Sequence, residues 1–147
     1  MNGYLRRKLR ERGWSGNRDP DLAALCEKLA ELGYVDDRAF ALACSRSLTG
    51  RGYGERRVQQ ALSLAGIGDE EGVEARDHAA KEAVDAALRF ARRRSLGPYA
   101  TERQDSAKRD KALAAMVRAG HRFALARAVV DLAPGEQPDM ESLSENR

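Results

Sequence analysis

Three glycines frame the chain: Gly13, Gly66 and Gly120 stand 53 and 54 residues apart. Leu9, Leu62 or Met116 lies four residues before each, and Leu5, Val58 or Ala112 lies eight before. On a helix such positions share one face, and a glycine just beyond suits the left-handed residue that closes it. The preceding helices align as well: Asp37, Phe40, Ala43, Arg46, Ser47 and Leu48 match Asp85, Leu88, Ala91, Arg94, Ser95 and Leu96. Each unit is three helices, and stacked units bury a core that none buries alone. With 25 Ala and 16 Leu against only 10 Val, Ile and Thr together, the composition selects helix over strand. An all-α, extended array of tandem three-helix repeats is expected. The first repeat is expected over residues 1–34, read as incomplete with its first helix absent. The second covers 35–78 and the third 79–133, with a disordered acidic tail over 134–147.

Between the closing glycines, punctuation marks each helix. Asp19-Pro20 reads as N-cap and first helical position of a helix carrying Leu22, Leu25, Cys26, Leu29 and Leu32 to Gly33. Asp36 caps the next helix, with Val35 and Phe40 as a hydrophobic staple. Thr49 to Gly54 breaks it. Gly54 then caps a further helix, with Tyr53 and Val58 at staple spacing. Asp69, Glu70 and Glu71 supply a cap and an acidic first turn, although Gly72 weakens that helix. The helix after it buries Ala80, Ala83, Val84, Ala87, Leu88 and Ala91 and stops at Leu96-Gly97-Pro98. Thr101 and Gln104 have capping-box spacing in a segment polar enough to be loop. Leu113, Met116 and Val117 mark a helix ending at Gly120, and Phe123, Ala126, Val129 and Val130 mark the last.

Chemistry is constrained mostly by exclusion. No phosphate-binding Gly-rich loop, paired catalytic carboxylates or nucleophile with a base is present. Asp36-Asp37 is explained by capping, since adjacent residues do not face each other on a helix. Trp14 reads as a core anchor. Cys26 and Cys44 fall on apolar helical faces as reduced thiols, and His78 and His121 are isolated, so neither a disulfide nor a metal site is argued. No cofactor and no catalysis are expected. No apolar run has signal or membrane-spanning length, which places the chain in the cytoplasm.

What remains is binding. The net charge is +3, with six Lys/Arg against one Glu in residues 1–18 and four Arg between Arg89 and Arg94. Arg46, Arg51, Arg56 and Arg57 gather around one inter-helix turn. The aligned unit repeats the theme with Arg92, Arg93, Arg94 and, beyond a longer loop, Lys108, Arg109 and Lys111. Cations also belong at helix C-termini, which explains part of the second cluster. Guanidinium forks meet carboxylates or phosphates bidentately, so two basic ridges at repeat spacing suit a long negatively charged partner. Tyr53 either staples its helix or stacks on a base.

The series GYVDDRAF, Arg46, GRGYGERRVQQAL and AGI closely resembles the RecX family, and the similarity runs from about Leu5 to Leu132. The resemblance implies a curved array of three-helix units. It also implies a monomer that binds the RecA filament on single-stranded DNA, possible direct DNA contact, and restraint of RecA's ATP hydrolysis and strand exchange. Recombination, DNA repair and the SOS response are the implied setting. Family members usually carry a further helix ahead of the segment matching Leu5 to Trp14, and an aromatic after the third closing glycine, where His121 stands here. A less tightly packed last unit is therefore expected. The competing reading is a general nucleic-acid-binding helical module acting through the same arginines.

Overall fold

A computed structural model describes residues 2–12, 21–32 and 36–147. Among the described residues there are nine α-helices and no strands. The first two are α1 (Asn2–Arg12) and α2 (Leu22–Glu31); α3 (Asp37–Gly50), α4 (Glu55–Leu64) and α5 (Val73–Lys81) follow. Next come α6 (Ala83–Arg94), α7 (Ser106–Arg118), α8 (Phe123–Asp131) and α9 (Met140–Glu145), with a short 3-10 turn at Gly97–Tyr99. The all-helical expectation holds.

Aspartates start several helices by accepting orphan backbone donors. Asp36 accepts the Ala39 N–H at 3.0 Å, Asp105 the Lys108 N–H at 2.8 Å and Asp139 the Glu141 N–H at 3.1 Å. Asp21 accepts the Ala24 N–H at 3.0 Å. The expected start at Asp19-Pro20, the staple residue Val35, the anchor Trp14 and the closing glycines Gly13 and Gly33 lie outside the described residues. Phe40 is largely exposed. Two expected starts move. The helix assigned to Asp69 begins only at Val73, because Gly68 to Gly72 forms a turn first. Thr101 to Gln104 is loop, and Asp105 caps α7 instead.

Helix ends follow one pattern. The N–H of Tyr53 reaches Leu48 O at 3.0 Å, Ile67 reaches Leu62 O at 3.0 Å, Leu96 reaches Ala91 O at 2.9 Å and His121 reaches Met116 O at 3.2 Å. Each is a six-residue closure over a left-handed residue: Gly52, Gly66, Ser95 and Gly120. The residue after the left-handed one tends to pack back on the helix, so Tyr53, Ile67, Leu96 and His121 all turn inward. Ser95 closes α6, just ahead of the stop expected at Leu96-Gly97-Pro98.

Buried side chains form two groups. Ala41, Leu48, Val58, Leu62, Ala75 and Ala79 unite α3, α4 and α5. Val84, Phe90, Met116, Leu125, Val129 and their neighbours unite α6, α7 and α8. Tyr53 packs against both. Ala80, Leu88 and Leu113 are only partly buried, and Phe90 takes the central place on α6. The break between α5 and α6 falls at Glu82.

The repeat is also visible in the stacking of units. At the junction, the Gly54 N–H donates to Ala119 O at 3.0 Å and the Arg56 N–H donates to Gly120 O at 3.1 Å. A Cβ on Gly54 would strike the Gly120 carbonyl, and one on Gly120, at φ +97°, would strike the Arg57 backbone. One repeat earlier Gly3, at the position equivalent to Arg56, lies beside Gly66, where an added Cβ would sit in ordinary contact 3.5 Å from the Gly66 Cα. At the junction of the second and third units it is Gly54 and Gly120 that leave no room for a Cβ.

The expected disorder beyond residue 134 is not what the structure has. Asp139 caps α9, which packs on α8 and α6, and Leu143 is 3% exposed within the third unit's core. One leucine in a polar tail gives no periodic signal, yet its burial is enough to seat a single capped turn and a half of helix.

Candidate functional site

Of the cations expected on two basic ridges, some line one cleft and the others lie apart from it, paired, stacked or exposed. Tyr53, held by the closure at the end of α3, lies between the two cores and organises the cleft. The guanidinium carbons of Arg51, Arg57 and Arg93 lie 5.5, 5.6 and 5.9 Å from its ring centre. Those of Arg93 and Arg94 lie 5.5 and 5.7 Å from the ring of Phe90. Stacking on an aromatic ring holds a guanidinium in place while leaving its N–H fork free at the edge. Tyr53 therefore has arginines against it, and base stacking on that ring would require displacing them.

Arg57, Arg93 and Arg94 share this open cleft, about 450 Å³ in volume, with Arg118 from the last turn of α7. Tyr53, Phe90, Ala115 and Ala119 complete the lining, and no acidic residue enters it. Among the described residues none of the four arginines forms an ion pair with a carboxylate. Arg93 is also structural: its Nη1 donates to Arg51 O at 2.5 Å, and Arg89, one turn earlier, donates to Thr49 O at 3.3 Å. Both satisfy carbonyls at the end of α3.

The remaining predicted cations lie elsewhere. Arg46 and Lys111 are exposed, and Arg56 is exposed beside the junction. Arg92 stacks on Tyr99 at 5.0 Å. Lys108 pairs with Glu102 at 3.5 Å, and Arg109 pairs with Asp131. Arg118 was not singled out by sequence. A cation in a helix's last turn is ordinary, and its counterpart in the preceding repeat is Leu64, so the repeat offered no signal.

His121 backs the junction. It is 1% exposed, its Nε2–H donates to Gly52 O at 3.0 Å, and its ring meets Phe90 edge to face at 5.7 Å. Nδ1 is buried without a partner. Burial lowers its pKa from 6.5 to about 4, only partly offset by the Gly52 carbonyl, so the ring is neutral at pH 7. The expected looseness of the last unit is not found at this position: the imidazole fills the space and adds a hydrogen bond between units.

Two groupings could suggest catalysis. Ser45 Oγ lies 3.0 Å from His78 Nδ1, but it is fully buried and donates its hydrogen to Ala75 O at 2.8 Å. It therefore accepts from the histidine, the reverse of what a base must do. Burial pushes the Cys44 thiol up despite the pull of Arg51, which favours the unreactive thiol form. The side chain of Cys26 lies outside the described residues. Among the described residues no cluster of His, Cys, Asp and Glu could hold a metal, and no helix is long and apolar enough to cross a membrane.

The chain is 38% identical over 117 residues to the regulatory protein RecX of Myxococcus xanthus (strain DK1622), covering 76% of this chain and 61% of that protein. It is 37% identical over 65 residues to the regulatory protein RecX of Vibrio vulnificus (strain CMCP6), covering 44% of this chain and 40% of that protein. Both support assignment to the RecX family. The chain thus spans about three fifths of the first relative's length and two fifths of the second's. No protein-family model and no solved structure matches it.

Proposed function

We propose that this chain binds the RecA filament on single-stranded DNA and restrains RecA's recombinase and ATPase activities in recombination and repair, acting by occupancy and without catalysis. The supporting observation is the convergence, in one cleft, of guanidinium groups from α4, α6 and α7 that form no ion pair among the described residues, in a chain whose relatives are named regulatory proteins. Such a cleft is a liability in isolation, because like charges repel, and it is relieved by an anionic partner. Titrating the chain into RecA's DNA-dependent ATPase assay tests the reading. Inhibition below one chain per RecA is expected, and replacement of both Arg56 and Arg57 by Glu is expected to weaken it while helicity is retained. Absence of inhibition by the unaltered chain would sink the proposal.

The same unpaired arginines favour a second reading, a general nucleic-acid-binding module. It predicts strong, salt-sensitive binding to bare DNA with no effect on RecA.

A further inference from the structure

The partner chemistry of the cleft follows from its composition and shape, and the inference rests on the functional reading above. We infer that Arg57, Arg93, Arg94 and Arg118 form a composite site for the phosphodiester backbone of a single strand of nucleic acid, clamped across the junction of the two repeat units. Arg57 comes from the second unit, and the other three come from the third. Their relative placement is set by backbone contact between Gly54 and Ala119 and between Arg56 and Gly120. A strand held by Arg57 on one side and Arg118 on the other therefore ties the two units together.

Three features select this ligand. First, four cationic forks share one cleft with no carboxylate, and every Lys or Arg with a described ion pair lies outside it. Second, Tyr53 and Phe90 hold three of the forks by stacking, so the donors are fixed before the ligand arrives. A regularly spaced phosphate chain rewards fixed donors, whereas carboxylates on a flexible acidic peptide must be ordered one by one at entropic cost. Third, the site is concave and lies between helices. A single strand bends into such a cleft, while duplex DNA is stiff over about 150 bp and would span its rim.

The magnitude is testable. Four phosphate contacts to a single strand release counterions with a slope of log affinity against log salt of about −3. Binding of a labelled short oligothymidylate by the full chain, followed by fluorescence anisotropy across a salt series, reads that slope. Arg118→Gln and Arg94→Gln, neither of which removes a hydrogen bond to the backbone of α3, are each expected to reduce it by about 0.7 to 1. Arg127→Gln, whose parent side chain pairs with Asp131 at 3.6 Å on α8, is expected to leave it unchanged. Circular dichroism confirms that each variant is folded. Equal loss in all three variants, or none in the two cleft variants, would overturn the site. No oligonucleotide binding, with RecA inhibition still abolished by Arg118→Gln, would assign the cleft to an acidic protein surface and overturn the nucleic-acid inference alone. Normal oligonucleotide binding without any effect on RecA would leave the cleft standing and remove the filament reading.

Discussion

Acidification tests the junction directly, because His121 is the group that the fold keeps from protonating. Its pKa falls from 6.5 to about 4 on folding, chiefly by burial. Between these values the unfolded chain binds a proton that the folded chain does not, so stability declines as pH falls through this window. The contribution is fully present above pH 6.5 and lost by pH 4. A difference of this size corresponds to about 3 kcal/mol, a large share of the stability of a small domain. The structural cause is specific: Nε2 already donates to Gly52 O, so the added proton must go to Nδ1, which has no acceptor. Urea unfolding followed by circular dichroism at several pH values measures the loss, but carboxylates titrate nearby. The informative quantity is therefore the difference from His121→Gln, which keeps an amide donor for Gly52 and cannot titrate. The variant is expected to be less stable at neutral pH and to lose about 3 kcal/mol less on acidification through the window. Parallel pH profiles for the two proteins would refute the buried, neutral imidazole.

Other perturbations separate the structural roles. Gly120→Ala puts a Cβ against Arg57 at a positive φ and is expected to cost more than about 1 kcal/mol, read as a lower urea midpoint and weaker oligonucleotide binding together. Leu143→Ala removes the buried anchor of α9 and is expected to cost about 2 kcal/mol or more, whereas a disordered tail would give no change in midpoint. Arg93→Gln loses the hydrogen bond to Arg51 O as well as a cleft charge, so both stability and binding fall. Arg94→Gln is expected to affect binding alone.

The helices were legible because their signals are local: Asp36 caps, Gly66 and Gly120 close, and apolar residues recur at helical spacing. The site was legible only in part, because a cleft is built across elements. Consecutive residues on a helix point about 100° apart, so the run Arg92, Arg93, Arg94 cannot act as one ridge. Arg92 turns to Tyr99, while Arg93 and Arg94 reach Phe90. Lys108 and Arg109 were assigned to the second basic ridge by repeat position, but the loop ahead of α7 brings Glu102 to Lys108, and α8 brings Asp131 to Arg109. Repeat logic predicts backbone placement well, and the Gly3–Gly66 and Arg56–Gly120 stacks obey it. It does not conserve side-chain chemistry at equivalent positions. His121 stands where the earlier unit has Ile67, and Arg118 where it has Leu64. Both departures lie at the same junction: a buried imidazole bonds the units from within, and an arginine completes the cationic rim outside. The backbone contacts that set Arg57 against Arg118 run through Ala119 and Gly120, next to that imidazole. A change that loosens His121 is therefore expected to weaken oligonucleotide binding together with stability, and unchanged binding in His121→Gln would refute the coupling.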